Sequence, residues 1–382
     1  MPHLSPFQRG LFMFEILHKS KKSAARVGRI HTPHGVIDTP NFVAVGTNGT
    51  LKAIGNDLVD EIGLQLMFCN TYHLLVQPGT EVVKKAGGLH KFINRKKPLI
   101  TDSGGFQVFS LAYGSVHDEI KSRGKKKHDG SVEKITEEGV VFRSYRDGQK
   151  IHLTPESSIQ AQKDLGADII IPFDELPPYH IEQDDLKKSL ARTHRWEMRS
   201  LQKHLENPNK QMIYGVIHGG ICPDLRKHSC KTLTGEAFDG FAIGGSVGKN
   251  RQELFDVISH TRKYLPDEKP NHLLGIGDLP SLQELVPLGI DTFDSSYPTK
   301  AARHGFLLTH EGGIKIEQTK YRMHFESLNC NCPTCKTYSL GYLHHLFKAK
   351  EVTAQILASV HNLHFMVQWM NEIREQILND QL

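Results

Sequence analysis

The sequence predicts an α/β fold of the (β/α)8 barrel type. Short apolar runs end repeatedly in acids or glycines, and helical patterns separate them. A length of 382 residues suits one large core with a small appendage. The number of strand–helix units favours a closed barrel over an open doubly wound sheet, although periodicity alone leaves both possible.

The elements follow in order. ARVGRIHTPHGVIDTPNFVAVG (25–46) alternates in character on either side of Pro33-His34-Gly35, the pattern of a β-hairpin. Six apolar runs come next: PLITDSGG (98–105), ADIIIPFDE (167–175), MIYGVIHGG (212–220), FDGFAIGG (238–245), HLLGIGD (272–278) and GIDTFDSS (289–296). Strands buried on both faces read this way. One helix start is explicit, with Thr154 as N-cap, Pro155 at the first helical position and Gly166 as the stop. Between the first and second runs lies an insertion with Lys121, Arg123, Lys125, Lys126 and Lys127, then a hairpin turning at Asp147-Gly148. A basic run of this kind is either a solvated loop or a phosphate contact beside the catalytic face.

Composition narrows the function less than the motifs do. The net charge of +5 is too weak to identify a nucleic-acid partner. No apolar run approaches the length of a membrane span, so a cytoplasmic protein is expected. Of six cysteines, Cys69, Cys222 and Cys230 are scattered, whereas Cys330, Cys332 and Cys335 form CNCPTC. Three thiolates at this spacing can wrap one tetrahedral zinc ion, with a histidine closing the shell. His361 reaches it from a long helical segment, while His344 and His345 are nearer in sequence. The glycine pairs at 104–105, 219–220 and 244–245 match no P-loop or dinucleotide fingerprint. They would let a flat ligand approach the backbone.

Asp102, Asp174 and Asp294 all end apolar runs, where a barrel keeps its chemistry. A strand-end aspartate is a helix cap or a reactive group, and several at one mouth favour reactivity. Two carboxylates facing an anomeric carbon can divide labour, one attacking and one shuttling the leaving group's proton. Glycosyl transfer is the chemistry this suggests.

TDSGGFQVFS (101–110), FDELPPY (173–179), FDGFAIGG, FDSSYPTKAARHG (293–305) and CNCPTC with SVHN (359–362) together resemble the tRNA-guanine transglycosylases, along nearly the whole chain. That resemblance implies a (β/α)8 barrel with an inserted zinc-binding subdomain. The expected division is 1–315 for the barrel and hairpin, 316–362 for the zinc subdomain and 363–382 for a helix returning to the barrel. The implied reaction exchanges the wobble guanine of tRNAs with GUN anticodons for a free 7-deazaguanine base of the queuosine pathway, in a homodimer. By matching motif, Asp294 resembles the nucleophile and Asp102 the general acid/base. Asp174 resembles the carboxylate that reads the base edge, and Phe106 the stacking aromatic. Ser103, His218, Gly245, Leu274 and Gly275 complete the implied base pocket.

The same resemblance implies tRNA contacts at Gly275, Ile276, Gly277, Asp278, Leu279, Pro280 and Ser281, and at Thr299, Lys300, Ala301, Ala302 and Arg303. It selects His361, with Cys330, Cys332 and Cys335, as the ligands of one structural zinc ion per chain. Three positions depart from the bacterial pattern: Leu176 in place of cysteine, His218 in place of glutamine, and GGSVGK one residue shorter than GGLAVGE. All touch the base pocket and bear on which base is taken, aminomethyl precursor or queuine. A carbohydrate-processing barrel is the competing enzyme class, but Trp196 and Trp369 are the only tryptophans available to stack sugars. A non-catalytic RNA-binding relative is the other alternative, and retention of both Asp102 and Asp294 speaks against it.

Overall fold

The computed structural model describes residues 13–107 and 132–382. The basic run from Lys121 to Lys127 lies outside the described residues. Three antiparallel strands, β1 (Phe14–Lys19), β2 (Arg26–Thr32) and β3 (Gly35–Thr39), open the fold. The β2–β3 turn closes at Thr32↔Gly35, where the hairpin was expected. Eight parallel strands then form a closed barrel: β4 (Asn41–Val45), β5 (Met67–Cys69), β6 (Leu99–Thr101), β10 (Ile169–Ile170), β11 (Met212–Ile217), β12 (Gly240–Ile243), β13 (Asn271–Leu273) and β14 (Thr292–Ser295). Between β6 and β10 lies a small antiparallel sheet of β7 (Val132–Ile135), β8 (Val140–Arg143) and β9 (Lys150–Leu153). Its β8–β9 turn spans Asp147-Gly148.

All six apolar runs supply barrel strands. The other two are β4 and β5; β4 lies inside the stretch read as a hairpin, but it pairs with β14 and β5 instead of continuing the N-terminal sheet. The helix Pro155–Leu165 starts and stops as expected: Thr154 accepts from the Ser157 N–H, and Gly166 is left-handed with φ 72°.

Period-two alternation divides the barrel strands into two cores. Met212, Tyr214 and Val216 of β11 join Val43, Ile100, Ile169 and Ala242 inside the barrel. Ile213 and Ile217 face the outer layer between strands and helices. Phe14, Ile30 and Ile37 of the N-terminal sheet join the inner cluster and plug one end of it. The same alternation decides which side chains meet at the open end.

After β14 come the helix Tyr297–Arg303, a β15–β16 hairpin (Phe306–Leu307, Ile314–Lys315) and the helices Pro333–Thr337 and Leu340–Lys348. One continuous helix, Val352–Leu378, then packs on Tyr297–Arg303, the helix Asn56–Ile62 and β4. No described helix is long and apolar enough to cross a membrane.

Candidate active site at the mouth of the barrel

Asp102 lies just past β6, two residues beyond the inward-facing Ile100. It is 8% exposed. Oδ1 accepts from the Thr71 N–H at 2.7 Å, and Oδ2 from Asn70 Nδ2 at 2.7 Å and Gln107 Nε2 at 2.9 Å. Burial still outweighs these donors, and the charge of Asp174 adds to it, so the carboxyl is pushed up to about 6. A carboxyl poised near neutrality can both release and recover a proton.

Asp294 follows Thr292 inward on β14 and is 6% exposed. Its Oδ1 accepts from the Gly275 N–H at 2.8 Å and faces His272 Nε2 at 3.0 Å. A carboxylate only accepts, so the ring must present Nε2–H to it. Its Nδ1 lies 2.8 Å from the Thr292 hydroxyl oxygen, which also donates to the Asn271 carbonyl at 3.3 Å. Among the described residues no protein hydrogen bond is made to Oδ2. The arrangement fixes one oxygen and leaves the other available to an incoming carbon.

Asp174, past β10, meets Ser103 and His218. Ser103 Oγ donates to its Oδ1 at 2.7 Å, and His218 Nε2 lies 3.0 Å from its Oδ2. His218 continues the inward alternation of β11 and is 3% exposed. With Nε2–H turned to Asp174, its Nδ1 is buried and makes no hydrogen bond among the described residues. Gly105 and Gly245 are required here by space. A Cβ on Gly105 would sit 2.4 Å from the Asp174 carbonyl; one on Gly245, at φ 77°, would sit 2.7 Å from His218 Nδ1. Phe106 is 47% exposed beside them, free to stack.

Arg226 stiffens this wall. It is 1% exposed and donates to the carbonyls of Ile217, Gly220, Gly244 and Ser246, pinning the loops after β11 and β12 to each other. Burial lowers its guanidinium to about 10. Behind the pocket Glu197 is fully buried, and desolvation together with the Asp174 charge raises its carboxyl well above the usual range. The segment 275–281 follows β13, and 299–303 lies on the helix after β14. Both therefore border the same mouth, with Lys300 exposed.

At the other end of the Tyr297–Leu378 region, Cys330, Cys332, Cys335 and His361 converge, their donor atoms within 4.8 Å of one another. His361 Nδ1 lies 3.6 Å from Cys332 Sγ and 3.4 Å from Cys335 Sγ. A tetrahedral ion with Zn–S ≈ 2.3 Å and Zn–N ≈ 2.0–2.1 Å would place such atoms ~3.6 Å apart. His361 Nε2 meets the Leu308 carbonyl at 2.9 Å, which fixes the tautomer and turns Nδ1 toward the sulfurs. The four residues can hold a metal ion. His344 does not join them; its Nδ1 bonds the Ile316 carbonyl.

A family model described as queuine tRNA-ribosyltransferase matches residues 20–382, all of the described architecture after β1. The chain belongs to the queuine tRNA-ribosyltransferase family. It is 68% identical over 371 residues to the queuine tRNA-ribosyltransferase of Protochlamydia amoebophila (strain UWE25), covering 97% of this chain and 96% of that protein. It is 58% identical over 372 residues to that of Chlamydia caviae and 56% to that of Chlamydia trachomatis serovar L2, each covering 97% of this chain and 99% of the relative. Queuine tRNA-ribosyltransferases are pentosyltransferases that modify tRNA.

For this family member, several residues around the site carried no flag in the sequence. Asn70, Thr71 and Gln107 hold Asp102, His272 holds Asp294, and Arg226 holds the pocket wall. His272 was within reach, since it opens the HLLGIGD run. Counting by twos back from the mouth places it inward.

Proposed function

We propose that this enzyme exchanges the wobble guanine of tRNAs with GUN anticodons for a free 7-deazaguanine base through a covalent enzyme–tRNA intermediate. Asp294 attacks the ribose C1′ as the N-glycosidic bond to guanine breaks, and Asp102 gives its proton to the departing base. The incoming base then returns a proton to Asp102 and attacks C1′, releasing Asp294. Atoms and protons balance within one exchange.

The observation that carries this reading is the division between the two carboxyls. Asp102 is buried and pushed up to about 6, fit for proton transfer, while Asp294 has one oxygen held by two donors and the other uncommitted. Asp174 accepts from the ring N–H and exocyclic amine of the base. Ser103 and His218 occupy only part of its acceptor capacity, because two carboxylate oxygens offer about four lone pairs. Gly245, Leu274 and Gly275 line the pocket and Phe106 stacks on the base. Residues 275–281 and 299–303, with Lys300 and Arg303, contact the anticodon loop.

Cys330, Cys332, Cys335 and His361 would hold one zinc ion. Four protein ligands complete a tetrahedron, so the ion would supply folding energy to the segment 316–362 between the barrel (1–315) and the returning helix (363–382). The enzyme acts in the cytoplasm as a homodimer. The test is exchange of labelled guanine into unmodified GUN-anticodon tRNA, with the mass of the inserted base read afterwards. No exchange with any such tRNA would overturn the reading.

A further inference from the structure

A second cluster of ligating side chains lies at the opposite end of the barrel. His34 sits in the β2–β3 turn, His90 in the short helix Leu89–Phe92, and Asp168 immediately before β10. His34 Nδ1 is 2.7 Å from Asp168 Oδ1, and His90 Nε2 is 3.2 Å from Oδ2. All three donor atoms lie within 4.8 Å of one another. The cluster is remote from the exchange chemistry: the Leu99 N–H at the start of β6 donates to Asp168, whereas Asp102 follows the end of β6, on the order of 10 Å along the strand.

A carboxylate between two imidazoles would be a complete hydrogen-bonded tether if both rings donated to it. Only His34 does. His90 is 9% exposed, and its Nε2 is buried and makes no hydrogen bond among the described residues, so its 3.2 Å approach is off the bonding direction. The two rings also stack, with centroids 3.5 Å apart and planes 13° from parallel.

We propose that His34, His90 and Asp168 form a second metal site, for one divalent transition ion such as Zn2+, Co2+, Ni2+ or Cu2+. Two imidazole nitrogens and a carboxylate oxygen suit these ions, whereas Mg2+ and Ca2+ prefer all-oxygen shells. The 3.2 Å between His90 Nε2 and Asp168 suits neighbouring ligands on one ion, while the 2.7 Å between His34 Nδ1 and Asp168 is a hydrogen-bond distance that would open slightly on binding. His34, whose side chain is 39% exposed, gives the ion a path from solvent and leaves room for water to complete the shell. Its ring must swing off the stack so that both nitrogen lone pairs point at one atom, a motion that an exposed turn residue permits. The bound ion clasps the N-terminal hairpin, the helix Leu89–Phe92 and the start of β10, three segments far apart in sequence.

The test loads full-length, zinc-replete protein with Ni2+ and counts metals per chain after dialysis, with melting temperature as a second readout. Wild type should hold one equivalent of Ni2+ beyond the zinc and melt at a higher temperature with it. His34→Ala and His90→Ala should take up none and show no rise, and guanine exchange by His34→Ala should be unchanged. Should His90→Ala fail to fold, His34→Ala, in an exposed turn, still decides the matter. The proposal is overturned if wild type binds no metal beyond zinc at millimolar Ni2+, which would leave a hydrogen-bonded tether only. It is equally overturned if His34→Ala binds as much as wild type.

Discussion

Replacing Asp102 by asparagine should leave a stability signature that depends on pH. The carboxyl rises from 3.8 in the unfolded chain to about 6 in the folded one, chiefly through burial. The folded state thus holds the proton more tightly. The resulting stability is fully present below the unfolded value and is lost as pH rises through about 6. A shift of two units corresponds to about 3 kcal/mol, of which about 1.4 kcal/mol is lost between pH 5 and pH 8. Asparagine does not titrate, so Asp102→Asn relative to wild type should be more favourable at pH 8 than at pH 5 by that smaller amount. The hydrogen bonds from Asn70, Thr71 and Gln107 are already contained in the folded value of about 6, and any pH-independent cost of the substitution cancels between the two measurements. Denaturant unfolding of both proteins at the two pH values measures the difference. In the proposed exchange this is also the proton given to the departing base. Wild-type kcat/KM, which reports the free enzyme, should fall towards tenfold per unit above about pH 6, and Asp102→Asn should lose roughly 10²- to 10⁴-fold together with that slope. A stability difference independent of pH, or a slope that survives in the variant, would refute the assignment.

Three further outcomes are expected. His272→Phe removes one of the two donors to Asp294 and should slow adduct formation roughly 10- to 100-fold, since a hydrogen bond to a charged group is worth about 1.5–3 kcal/mol; His272→Asn should recover part of the loss, and equal rates in both variants would deny His272 a positioning role. Cys332→Ser should lower both zinc content and melting temperature, and full occupancy in that variant would show the ligand set to be wrong. In competition for labelled guanine, queuine should be accepted at least as well as the aminomethyl precursor, because the shortened GGSVGK loop removes bulk beside His218; inert queuine at high concentration would contradict this.

Six barrel strands were legible in the sequence because each carries an apolar run that stops at an acid or a glycine. β5 was not: Met67–Cys69 is no shorter than β6 and longer than β10, but its run ends at Asn70 instead. β4 was hidden for another reason: NFVAV continues the alternation of the hairpin before it, and only its pairing with β14 and β5 reveals its place. The strand-end aspartates Asp102, Asp174 and Asp294 could be placed because strand ends point at one mouth. Their supports could not. Asn70 meets Asp102 only after β5 and β6 lie side by side, and Gln107, five positions on, turns back to it only through the backbone path after β6. His34 and Asp168 are separated by 134 positions, so their contact belongs to the closed barrel alone.

The central claim is that Asp294 becomes bonded to RNA. Wild-type enzyme mixed with unmodified GUN-anticodon tRNA and quenched in denaturant before free base is added should migrate as an enzyme–tRNA adduct, and free base should discharge it. Asp294→Asn, folded as judged by its melting temperature, should form none. An adduct of undiminished yield in Asp294→Asn would contradict the account, as would guanine exchange at wild-type rate in that variant.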